Sequence, residues 1–73
     1  MNTTEIILEL APAIDATKIN EYLNWLDELI VEEGPGVLTL DQLYKAFSWI
    51  FPELSGGECK TVFGVWVATN KIL

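Results

Sequence analysis

The sequence predicts an all-α fold, a compact bundle of about four short helices forming a single domain over residues 1–73. Three observations predict it. Apolar residues recur at three- and four-residue spacing along most of the chain, the repeat of a helix with one core-facing stripe. Asn2 with Glu5, Thr39 with Gln42 and Ser55 with Glu58 have the spacing of an N-cap and its reciprocal partner three residues on. Pro12, the Gly34-Pro35-Gly36 run and Pro52 separate the periodic stretches.

Asn2 is expected to open a first helix from about Thr3 to Leu10, with Ile6, Ile7 and Leu10 facing inward. Pro12 ends it, because a residue before proline is pushed out of the helical region. Asp15 or Thr17 then caps the longest helix, over Asp15 to Glu33. On it Ile19, Tyr22, Leu23, Leu26, Leu29 and Ile30 form one stripe, Glu21, Glu28 and Glu32 lie opposite, and Trp25 falls between. Gly34-Pro35-Gly36 stops this helix, since glycine accepts the backbone of a helix terminus and proline cannot continue the ladder.

Thr39 starts a third helix whose Leu40, Leu43, Tyr44, Phe47, Ile50 and Phe51 share a face, with Trp49 pointing away beside Gln42, Lys45 and Ala46. The last segment carries two conflicting signals. Thr61, Val62, Phe63, Val65, Trp66 and Val67 favour strand by propensity, and Gly64 weakens a helix by about 1 kcal/mol relative to alanine. Cys59, Val62, Phe63, Trp66 and Val67 nevertheless keep helical spacing, and a lone strand in a helical chain has no partner. Helix is the assignment, ending near Asn70, with strand as its competitor.

Composition narrows the function classes. The chain has a net charge of −7, no histidine and a 51% apolar content. No apolar run approaches the roughly 18 residues of a membrane span, and no basic start precedes an apolar run as in a signal peptide. Cys59, the single cysteine, cannot form an internal disulfide; it fits a buried, inert thiol and a cytoplasmic setting. Charge is uneven: residues 1–33 hold eight acids against Lys18, whereas residues 34–73 balance three acids with three lysines. With no arginine, direct phosphate binding is not expected, because it depends on positive side chains displacing counterions. The expected partner is a protein with a basic surface; the competing explanation of the acids is solubility.

Several motifs fail on inspection. Aligning Gly36 with the sharp turn of a calcium loop puts Val31 and Gln42 at the first and last ligand positions, so no metal is expected. Leu40 to Leu73 has the outline of a helix-turn-helix, but Gly56, Gly57 and Glu58 stand where a recognition helix needs donors for phosphates and bases. Without histidine there is no imidazole base or conventional triad, and the α-helical carboxylates suggest a solvated face, so neither catalysis nor a cofactor is expected. Gly56-Gly57 lacks the lysine and hydroxyl residue of a phosphate loop.

The aromatic residues are more informative. Three tryptophans exceed what so small a core needs. Trp66 fits the core stripe, while Trp25 and Trp49 lie off theirs, and tryptophan is enriched among interface hot spots. The candidate partner-binding residues are therefore Glu21, Trp25, Glu28, Glu32 and Trp49. For either tryptophan the alternative is cover by a neighbouring helix.

In length, acidity, absence of histidine and helical pattern, the whole chain resembles the very small acidic regulators that lytic bacteriophages encode to take over host machinery, particularly those that bind host RNA polymerase. The resemblance is carried by all 73 residues rather than by a motif, so no family residue roles transfer. It implies a monomer in the host cytoplasm that inhibits initiation by occlusion or by displacing a promoter-recognition factor. Two other classes compete: an acidic nucleic-acid mimic that blocks a nuclease or other DNA-binding enzyme, and a non-inhibitory adaptor.

Overall fold

Asn2, Asp15, Thr39 and Ser55 each supply a side-chain oxygen to the open N–H groups at the start of a helix, and these four starts organise the chain. The computed structural model describes residues 2–33 and 39–70, with the side chains of Glu32 and Glu33 outside that description. Within it lie α1 (Thr3–Leu10), α2 (Ala16–Glu33), α3 (Leu40–Ile50) and α4 (Gly56–Asn70), and no strand. The glycine-proline run after α2 falls outside the described residues.

The caps differ in completeness. Thr39 Oγ1 accepts the Gln42 N–H at 3.1 Å while Gln42 Oε1 accepts the Thr39 N–H at 2.9 Å. Ser55 and Glu58 make the same reciprocal pair. Asn2 Oδ1 accepts from the Glu5 N–H at 2.8 Å, the forward half of its pair. Asp15, rather than Thr17, caps α2, accepting from both the Thr17 N–H and the Thr17 hydroxyl. Those two bonds favour the carboxylate and hold its pKa below the ordinary value, the hydroxyl contributing most.

The last segment is helical throughout its described length, so packing overrides strand propensity there. α4 packs against each of the other three helices, burying Cys59, Val62, Phe63, Trp66 and Val67 along one continuous stripe. Gly64 lies on the exposed side, and a methyl group there would meet nothing within 4 Å. Gly64→Ala should therefore stabilise the protein by about 0.5–1 kcal/mol, through helix propensity alone. A rise in melting temperature of about 2–8 °C would register it, and a fall would mean that α4 is held in a backbone alanine cannot adopt.

The core stripe of α2 forms as its periodicity predicts, and so does that of α3 apart from Ile50. Ile19, Tyr22, Leu26, Leu43 and Phe47 are at most 1% exposed, and Leu23, Leu29 and Ile30 pack around them. Phe47 is the hub: Tyr22, Trp25, Phe51 and Phe63 all place rings within 6.5 Å of it. The radius of gyration, 11.5 Å, matches the roughly 11 Å of a close-packed chain of this length.

Two stripe assignments need correction. Leu10 is 64% exposed instead of facing inward, and α1 buries Ile7 with Leu8 and Ala11 beside it. Both sets contain Ile7 and differ by a rotation of one residue, about 100°. An eight-residue helix is too short for periodicity to choose between them, and contact with α4 and α2 decides. Ile50 is the second: it is 42% exposed at the last turn of α3, opening onto a concavity beside α2 rather than packing in the core.

Candidate protein-interaction groove

The backbones of α2 and α3 hardly approach each other among the described residues, and aromatic rings from both sides meet in the space between them. Trp25 stands 5.9 Å from Phe51 edge to face and 6.1 Å from Phe47, and Tyr22 lies 4.8 Å from Phe51. Beside these rings an open groove of about 690 Å³ is lined by Glu21, Asn24, Trp25, Glu28, Ile50 and Phe51. Its lining is part aromatic and aliphatic, and among the described residues its ionisable members, Glu21 and Glu28, are both acids.

Three sequence-predicted residues, Glu21, Trp25 and Glu28, thus meet at one site. Trp25 is half-buried: part of the ring packs on Phe47 and Phe51, as cover by a neighbouring helix requires, and another part faces the groove. Trp49 is 81% exposed and lies outside the groove wall, adjacent in sequence to Ile50. Glu32 falls within α2, but its side chain is not among those described.

Asn24, Ile50 and Phe51 were missed as site residues, although a signal for the first existed. Glu21, Asn24, Trp25 and Glu28 follow the i, i+3, i+4, i+7 spacing of a second face on α2, mixed in polarity and so hidden beside the apolar stripe. Ile50 and Phe51 belong to the core stripe of α3 by periodicity. In the structure Ile50 is 42% exposed while Phe51 stays buried at 9%, reaching the groove only by its edge.

A second, smaller concavity of about 210 Å³ lies where the α1–α2 turn faces the α3–α4 turn. There the Tyr22 hydroxyl donates to Glu53 Oε2 at 3.1 Å, and Lys18 Nζ approaches the same oxygen at 4.0 Å. The ion pair is half-exposed and contributes little to stability. Burial of the Tyr22 ring, then the carboxylate beside it, pushes the phenol from 10.0 up to about 12.

This shift gives stability a defined pH dependence. Between pH 10 and about 12 the unfolded chain has lost the Tyr22 proton while the folded chain keeps it, so stability declines as pH rises through that window. Tyr22→Phe should remove this component of the alkaline decline. Denaturant midpoints between pH 9 and 12 check it; an unchanged slope in the variant would exclude Tyr22 as the group responsible.

The chemistry of the remaining groups is limited. Cys59 is 2% exposed, and burial, with Glu58 and Glu53 nearby, pushes its thiol up, away from the reactive thiolate. Among the described residues no three Cys, Asp or Glu side chains converge as a metal site, and Val31, at the first position of the calcium-loop alignment, is 81% exposed. No described helix is long and apolar enough to cross a membrane. What the arrangement offers is an open groove with the half-buried Trp25 ring, the exposed Ile50 side chain, the edge of Phe51 and two carboxylates in its lining.

Compared with protein-family models, with curated proteins and with solved structures, the chain matches none.

Proposed function

We propose that this protein is a non-catalytic, phage-type transcription regulator that binds a basic surface of host RNA polymerase and inhibits initiation, by occlusion or by displacing a promoter-recognition factor. The observation that carries the binding role is the α2–α3 groove, where Glu21, Trp25 and Glu28 of α2 and Ile50 and Phe51 at the end of α3 line one open concavity. An apolar floor with a charged rim is the anatomy of a protein contact, in which a few desolvated side chains supply affinity and rim charges supply steering. The choice of polymerase rests on the whole-chain resemblance. Nucleic-acid mimicry is less well supported: it needs carboxylates spread like phosphates over a face, whereas here Glu21 and Glu28 share a groove with Trp25, Ile50 and Phe51 and the second half of the chain is neutral.

The test is to mix the purified protein with bacterial RNA polymerase holoenzyme, measuring complex formation by native gel and transcription from a promoter. The expected outcome is a stable complex and loss of initiation, with elongation from preformed complexes unaffected. Affinity capture from a bacterial lysate followed by mass spectrometry supplies the partner-blind control. Failure to bind or inhibit the polymerase would exclude the regulator role; binding without any effect on transcription would leave an adaptor.

A further inference from the structure

We infer that the α2–α3 groove takes a basic amphipathic helix, one that seats an apolar anchor side chain on Trp25, Ile50 and Phe51 and sets lysine or arginine against Glu21 and Glu28. This deepens the protein-binding role proposed above and rests on it. Four features define the occupant.

Charge is the first. Among the described residues both ionisable groups lining the groove are carboxylates and no lysine lines it, and residues 1–33 hold eight acids against one lysine. A second copy of the chain would bring two such faces together, and nucleic acid carries the wrong sign, so the complementary occupant is cationic. The floor is the second feature. Ile50, 42% exposed, and the accessible flank of Trp25 present apolar surface whose burial needs an apolar side chain from the partner.

Backbone is the third. Every regular element among the described residues is a helix, so no open sheet edge invites strand addition, and recognition falls to side chains, as when a helix lies in a groove between helices. Spacing is the fourth. Glu21 and Glu28 stand seven residues apart, about 10.5 Å along α2, with Trp25 between them. A helix laid along the groove matches this with cations seven residues apart and its anchor between them.

The probe is a synthetic alanine-rich helical peptide with two lysines seven residues apart and a leucine four residues after the first. Two controls replace the lysines by glutamate or the leucine by alanine. In an amide NMR titration the lysine-leucine peptide should give saturable shifts at Glu21, Asn24, Trp25, Glu28 and Ile50. The glutamate peptide should give none, and loss of the leucine should weaken binding at least tenfold. Ile50→Glu and Glu28→Lys alter exposed side chains, so each should keep the wild-type spectrum elsewhere and weaken the peptide at least tenfold. Shifts centred on Glu5 and Glu9, equal binding of the alanine control, or groove shifts that grow with protein concentration alone would each overturn the inference, the last by identifying a second copy as the occupant.

No polymerase is present in that assay, which separates the two claims. Peptide binding in the groove by a protein that ignores polymerase refutes the polymerase partner and leaves the groove assignment standing. Polymerase inhibition that survives Ile50→Glu, with no peptide binding, refutes the groove assignment alone.

Discussion

Trp66→Ala should cost about 3–5 kcal/mol, against a total stability that a 73-residue domain holds at roughly 4–11 kcal/mol. Trp66 is 2% exposed, packs tilted against Phe63 with ring centroids 5.8 Å apart, and sits on the helix that touches all three others. Its truncation leaves a cavity at the centre of the fold. The indole also donates from Nε1 to Asp27 Oδ1 at 2.8 Å, tying α4 to the outer side of α2. A hydrogen bond to a carboxylate stabilises by about 1.5–3 kcal/mol in general, but Asp27 is exposed and regains water when the bond is lost. Trp66→Phe should therefore cost clearly less than Trp66→Ala, and Asp27→Asn little. Urea denaturation followed by circular dichroism ranks the three. If Trp66→Ala loses less than about 1 kcal/mol, α4 is not the centre of the core and the packing described above is wrong.

Cap chemistry and long stripes were legible in the sequence because each is a local rule with few competitors. Thr39 with Gln42 and Ser55 with Glu58 pair as their spacing predicts, and Ile19, Tyr22, Leu26, Leu43 and Phe47 are buried on the expected faces. Legibility failed where rotation or neighbour placement decides. Two stripes 100° apart compete on α1, and only its contacts with α4 and α2 select the one that leaves Leu10 exposed. In α4 propensity and periodicity pointed in opposite directions, and the burial of Trp66 and Val62 among three helices settles them. The groove itself could be read only in half. Glu21, Trp25 and Glu28 announce themselves by spacing, whereas the exposure of Ile50 and the place of the buried Phe51 in the lining depend on how α3 packs beside α2.

Trp49→Ala is the cleanest test of aromatic anchoring in the proposed polymerase complex. Trp49 is 81% exposed and no other ring stacks against it among the described residues, so its loss should leave folding stability within about 0.5 kcal/mol of wild type. If it is a hot spot, the complex should weaken by about 2 kcal/mol, roughly thirtyfold, mainly through faster dissociation. Trp25→Ala has the same expected effect on binding but is harder to read, because the ring also packs on Phe47 and Phe51 and its loss destabilises the fold. Binding by that variant must be measured at a temperature where circular dichroism shows it fully folded. Charge reversal at Glu21 and Glu28 provides the kinetic contrast: exposed rim carboxylates should alter association and its salt dependence more than dissociation. Surface plasmon resonance across a salt series separates the two classes of residue. Two folded tryptophan variants that dissociate at the wild-type rate and still inhibit the polymerase at wild-type concentration would exclude both rings as anchors, leaving Ile50 and Phe51 as the apolar part of the contact.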